Sequence, residues 1–157
     1  MLAKRVTLLA AFFVVASAGA GAAQLRPHVG PRFGVDTKAE DIFIGFHMTA
    51  PIDRRIEFYP SINLFLPDRG SSIGFSGDFK VLFPTRANTE FYTGAGLNVH
   101  HVSFNGVSDT NLGANLIGGI ETRLGRVHPF VESRLVFNRE TAFQGIIGLN
   151  FTFGRHY

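Results

Sequence analysis

Residues 148–157 read GLNFTFGRHY, and their alternation sets the terms for the whole chain. Leu149, Phe151 and Phe153 share one side of an extended segment while Gly148, Asn150 and Thr152 share the other, because successive strand side chains point to opposite faces. The Phe side needs an apolar cover. Whether that cover is a protein core or a lipid bilayer decides the fold.

The same alternation recurs in about eight stretches bounded by turn residues, and no amphipathic helix interrupts them. In HVGPRFGVD (28–36), Val29, Pro31, Phe33 and Val35 oppose His28, Gly30, Arg32 and Gly34. After the loop DTKAE, Ile42, Ile44, Phe46 and Met48 oppose Phe43, Gly45, His47 and Thr49, up to a tight turn at PIDR. Ile56, Phe58, Ile62 and Leu64 then oppose Glu57, Tyr59, Ser61 and Asn63. Pro60 lies inside this third strand and cannot donate to a ladder, which predicts a bulge or a locally weak pairing. Beyond PDRGS, Ile73, Phe75, Phe79, Val81 and Phe83 oppose Gly74, Ser76, Asp78 and Lys80, ending at PTRAN.

In the second half, Phe91, Ala95, Leu97 and Val99 oppose Glu90, Tyr92, Gly94, Gly96 and Asn98, with FNGVSD expected as a loop. Leu112, Ala114, Leu116, Ile120 and Leu124 oppose Asn111, Gly113, Asn115, Gly119, Glu121 and Arg123, with a turn at Gly125 and Arg126. Val131, Leu135 and Phe137 oppose Glu132 and Arg134, and NRET leads into the last strand. No Lys, Arg, Asp or Glu falls on the apolar side of any strand.

Side-chain size indicates which face is inside. The apolar faces carry Phe, Ile and Leu, whereas the polar faces carry glycine at 30, 34, 45, 74, 94, 96, 113, 119 and 148. The interior of an eight-stranded barrel is just wide enough to be filled by its side chains, so small residues are expected inside and large rings on the convex exterior. Such an exterior would aggregate in water and is suited to lipid, where a closed barrel leaves no ladder group unpaired. The expected fold is all-β: an eight-stranded antiparallel up-and-down transmembrane β-barrel.

The N-terminal MLAKRVTLLAAFFVVASAGAGAAQ places Lys4 and Arg5 before an apolar run from Val6 to about Ala18 and the small residues Gly19 to Ala23. This is the layout of a secretory signal peptide, expected over 1–23 with cleavage near Ala23, and the barrel domain is expected over 24–157. The apolar run is too short for a spanning helix. The chain has no cysteine, hence neither disulfides nor a lipoprotein anchor. The formal charge of +3 comes from 15 bases against 12 acids, and the leader holds two of the bases, leaving 13 − 12 = +1. With no basic cluster or nucleic-acid motif, nucleic acid is not an expected partner.

The leader, the eight alternating strands, FYTGAGLNVHH (91–101) followed by TNLGANLIGGIETRLG (110–125), and the aromatic last strand together resemble the small bacterial outer-membrane β-barrels, outer membrane protein A-like and X-like. The resemblance implies a Gram-negative outer-membrane location among lipids and lipopolysaccharide. It also implies that Gly148, Phe151 and Phe153 match the C-terminal signal read by the barrel-insertion machinery. Gly154, Arg155, His156 and Tyr157 depart from that pattern by following the second aromatic, with Tyr157 offering a terminal ring.

The residues expected to face the lumen with charge are Arg32, Arg55, Lys80, Arg123 and Arg134 against Glu57, Asp78, Glu90, Glu121 and Glu132, a balanced salt-bridge network. Glu132 and Arg134 are expected to pair with adjacent strands, Glu121 and Arg123 being nearest in sequence, and Tyr59 and Tyr92 to help plug the interior. His28, His47 and His100 share the lumen parity but lie on different strands without close ligand spacing, so no metal site and no cofactor is expected. His101 and Ser103 lie on the outward parity, and with Asp109 they resemble an incomplete version of the triad of outer-membrane lipid A deacylases. Phe104 follows where that family has Asn. No catalytic residue is assigned, and the expectation is a monomeric, non-enzymatic envelope barrel with no open pore. The alternatives are a lipid-modifying enzyme and a small adhesin, the latter weakened by the short loops.

Overall fold

A computed structural model describes residues 27–67 and 70–152. The expected leader (1–23), Phe153 and the segment to Tyr157 lie outside the described residues. Eight strands follow in order: β1 (His28–Asp36), β2 (Asp41–Pro51), β3 (Ile56–Phe65), β4 (Ser71–Pro84), β5 (Thr89–Phe104), β6 (Val107–Thr122), β7 (Val127–Phe137) and β8 (Thr141–Thr152). Each pairs antiparallel with the next, and β8 pairs with β1 to close the barrel. The nine to twelve residues of β1, β2, β3, β7 and β8 match the length that crosses a bilayer at a barrel tilt.

Register fixes the geometry. The pairing at constant register runs from His28 through Thr49, Tyr59, Asp78, Gly96, Asn115, Val136 and Ala142 and returns to the line of β1 at residue 38. The shear is thus 38 − 28 = 10 residues. Eight strands at that shear tilt by about 43° and leave a backbone radius of about 8 Å. Side chains fill a bore of that width.

Each ladder keeps a single register, so the barrel has no bulge among its described strands. Of the two outcomes that Pro60 allowed, the weak pairing is the one found. On the β2 side the ladder runs to His47–Ser61 and resumes at Ala50–Phe58, omitting Met48–Pro60 and Thr49–Tyr59. Pro31 leaves the same mark on the closing seam, where pairing stops after Val29–Phe151 and resumes at Arg32–Gly148. FNGVSD is not a loop. β5 and β6 continue to Phe104 and Val107, and Asn105 and Gly106 alone make the turn with φ of 49° and 79°. An Asn-Gly pair in the left-handed region suits the primed turn that joins twisted strands.

The expected phase of every strand is the observed one. Outward positions carry no Asp, Glu, Lys or Arg on any strand, and Phe46, Phe79, Phe91, Leu116, Val131 and Ile147 stand exposed on that surface. The two tyrosines of the described strands, Tyr59 and Tyr92, lie inside and not in an exterior girdle.

Not every large ring lies outside. Phe43, Phe65 and Phe130 are buried inside with Ile117 and Ile146, although large rings were expected outside. Cross-strand glycines make the room. Phe43 pairs with Gly34, Tyr92 with Gly119 and Phe130 with Gly148, and a methyl at any of these glycines would overlap the facing ring. The lumen glycines therefore seat particular rings.

Candidate functional site

The interior is the place where this chain concentrates chemistry, and it has three levels. In the middle, Arg134 Nη2 lies 2.9 Å from Asp78 Oδ2 and donates to Glu132 Oε1 at 3.1 Å. Tyr92 Oη donates to Glu132 Oε2 at 3.0 Å, and Asn115 Nδ2 donates to Asp78 Oδ1 at 2.9 Å. Lys80 Nζ sits 3.4 Å from the centre of the Tyr59 ring and 4.2 Å from that of Tyr92, a cation held between two aromatic faces. Arg32 completes the level through Asn63 at 2.8 Å and Tyr59 at 3.3 Å. Every charge here has a counter-charge, ring or amide against it, as buried ions require.

The pairing differs from the expectation in partner, not in kind. Arg134 reaches Glu132 on its own strand and Asp78 on β4, across the lumen. Glu121 pairs with His128 and Arg123 with Glu90. Sequence proximity misleads because a narrow lumen makes opposite strands neighbours. Arg55 is not in the lumen: it lies in the exposed turn between β2 and β3, outside any strand. Arg123 lies at the rim, just past β6 and half exposed, and not inside.

At the end bearing the β1–β2, β3–β4, β5–β6 and β7–β8 connections, a polar cavity of about 340 Å³ opens over Asn63, Asn98, His100, Asn115, Arg134 and Gln144. His100 is held by Ser72 at 2.6 Å, and Gln144 donates to Asp36 at 2.8 Å. At the opposite end, where β1 begins and β8 finishes, a second cavity of about 340 Å³ is lined by His28, Glu57, Leu82, Arg123 and His128. The two cavities share no lining residue. The middle level, in which Tyr59, Asp78, Lys80, Glu132 and Arg134 are almost completely buried, stands between them.

The three lumen histidines of the sequence do not meet one another. His47 is in the wall, bonded to Asn150 at 2.5 Å, and His100 is at the loop end. His28 instead meets His128, which the sequence did not single out, with ring centres 5.0 Å apart. A separation of 128 − 28 = 100 positions hides the pair, which the closure of β8 between β7 and β1 creates.

On the exterior, His101 Nδ1 is 2.8 Å from Thr110 Oγ1. Asp109 is not brought to His101. It pairs in register with Val102, on the parity opposite to His101 and Ser103, and its carboxylate accepts from Asn111 at 3.1 Å and pairs with Arg139 at 3.3 Å.

No protein-family model matches the sequence, and no curated protein matches it. Solved structures do match. The chain is similar to the N-terminal β-barrel domain of Pseudomonas aeruginosa OprF, at TM-score 0.73 and 13% identity over 82% of this chain and 97% of that one. It is similar to Neisserial surface protein A at TM-score 0.63 and 12% identity, over 82% of this chain and 96% of that one. The outer membrane enzyme PagL also matches, at TM-score 0.56 and 11% identity, over 81% of this chain and 99% of that one. These likenesses extend over the whole described barrel, and the chain has the fold of the small eight-stranded outer-membrane β-barrels.

Proposed function

We propose that this chain is an integral protein of the bacterial outer membrane with a structural or surface-interaction role, non-enzymatic and without an open pore. The observation that carries the reading is the middle level of the lumen. Tyr59, Asp78, Lys80, Tyr92, Glu132 and Arg134 are almost completely buried and fill the cross-section, so water has no continuous path. Its partners under this reading are outer-membrane lipids and lipopolysaccharide around an uncharged belt, and the insertion machinery at the last strand. The barrel works as a monomer.

A lipid-modifying role is the second reading, supported by the outward His101–Ser103 pair and by the likeness of fold to an outer membrane enzyme. Against it stands the missing acid: the strand positions around His101 on that face are Ile73, Val99, Ser103 and Thr110. Hydrolysis needs nucleophile, base and orienting acid within hydrogen-bond reach. Purified protein should give no steady conductance in planar bilayers and release no fatty acid from lipopolysaccharide. Steady conductance would make it a channel, and acyl release abolished in both Ser103→Ala and His101→Ala would make it an enzyme.

A further inference from the structure

We propose that His28, Glu121 and His128 form a binding site for a divalent transition-metal cation, zinc being the one their donor set suits best, at the end of the barrel where β1 begins. One donor atom from each lies within 4.8 Å of the others. Donors around a tetrahedral zinc are about 3.3 Å apart at ordinary bond lengths, so small side-chain rotations close the difference. Two imidazoles and one carboxylate favour zinc and its neighbours over magnesium or calcium, which take oxygen.

Hydrogen-bond logic around His128 calls for a cation. Its Nε2 is 3.0 Å from the carbonyl oxygen of Gly125, which can only accept, so Nε2 carries a proton. Its Nδ1 then faces Glu121 Oε1 at 3.0 Å, and an ionised carboxylate oxygen also only accepts. Something positive belongs between them, either a second proton or a metal ion. The remaining Glu121 oxygen accepts from Asn150 Nδ2 at 2.8 Å, and Asn150 is itself held by His47. A carbonyl behind the imidazole and an amide behind the carboxylate are the outer contacts that orient metal ligands.

A second observation is independent of the cluster. Glu57 is only 8% exposed, has no hydrogen bond or ion pair among the described residues, and lines the cavity that reaches His28 and His128. Its partner in register, Lys80, points its ammonium at Tyr59 and Tyr92 instead. Of the two arginines on the same cavity, Arg123 is engaged by Glu90 and Arg54 forms no ion pair with Glu57 among the described residues. Glu57 thus places an unpaired carboxyl on the cavity beside the cluster, where a divalent cation would favour its ionised form. His28, with no hydrogen bond among the described residues, supplies the donor from the opening of β1, so a bound ion would tie β1 to β6 and β7 beside the closing seam.

The test uses the full barrel folded in detergent, stripped with a chelator and titrated with zinc by calorimetry. Cobalt(II) serves as the optical probe, since a tetrahedral site with nitrogen donors absorbs in the visible. A single zinc ion should bind and raise the unfolding temperature. His28→Ala should weaken binding by at least about tenfold and abolish the thermal shift, with strand content unchanged by circular dichroism. His128→Ala removes two hydrogen bonds as well, so His28→Ala carries the decision, and His101→Ala should bind like wild type. Absence of zinc uptake by wild type would leave a proton as the cation at His128 and overturn the site. Uptake undiminished in His28→Ala would place the ion elsewhere and overturn it equally.

Discussion

The inner and outer faces of β7 lie in one backbone and obey opposite rules. Inside, Glu132 and Arg134 are about 1% exposed and bound to charges, a hydroxyl and each other. Outside, Val131 and Leu135 alternate with Ser133 and stand exposed, with only uncharged residues opposite them on β6 and β8. The difference teaches that the polar core of this protein is its specific part and the apolar surface its generic part. Lipid asks only for a continuous uncharged belt, whereas each buried ion asks for a named partner.

The largest effect should come from breaking the inside. Arg134→Ala leaves Glu132 and Asp78 facing each other without their cation, and should cost about 3–5 kcal/mol in detergent or lipid unfolding. Arg139→Ala breaks an exposed pair with Asp109 and should cost about 0–1 kcal/mol. Equal losses would remove the distinction between network and rim.

Outside, the effective insult is the reverse one, adding a charge. Ile147→Arg places a guanidinium on the lipid face of β8 and should cost about 2–4 kcal/mol when the barrel is folded into bilayers. Ile147→Leu should change little. A tolerated arginine would mean that this surface is not in lipid.

A finer comparison uses two glycines of β8. Gly148→Ala drives a methyl into the Phe130 ring and the Pro31 carbonyl and should cost about 1–3 kcal/mol. Gly145 faces outward, where the nearest atom to an added methyl is Val35 Cγ2 at 3.9 Å, and Gly145→Ala should be close to neutral. The reverse ranking would refute the ring-on-glycine packing of the lumen.

The smallest effect belongs to the loop-end pair Lys38–Glu140. Lys38 holds the Glu140 carboxyl below the usual carboxylate range. A group depressed in the folded state contributes above its unfolded value and loses that contribution as pH falls through the folded one. Glu140→Gln should therefore trim stability slightly at neutral pH, and the difference from wild type should vanish in acid. A difference that persists at low pH would assign the effect to packing instead.

The belt was legible in the sequence because it depends on parity alone. Ile42, Ile44 and Phe46 announce their face whatever they pair with, and one consistent phase per strand was enough to place every charge on the other side. Pairing inside was not legible in the same way. The partners Asp78 and Arg134 stand 56 positions apart in the chain and on strands that do not touch, so only closure at a shear of ten brings them together. The same closure hides His28 beside His128. Two misses did leave a local trace. Asn105-Gly106 between alternating runs is a hairpin turn in its own right, and Phe43, Phe65 and Phe130 stood on the polar parity beside glycines that could receive them.

The central claim, that the bulky face meets lipid and the polar face fills the barrel, has a direct optical test because the chain contains no tryptophan. Phe91 is exposed and Tyr92 buried, one residue apart on β5. Phe91→Trp and Tyr92→Trp therefore place a single reporter on either side of one wall. In bilayers of lipids brominated along the acyl chains, the account predicts strong quenching of Phe91→Trp and much weaker quenching of Tyr92→Trp. Equal quenching, or stronger quenching of Tyr92→Trp, would contradict it.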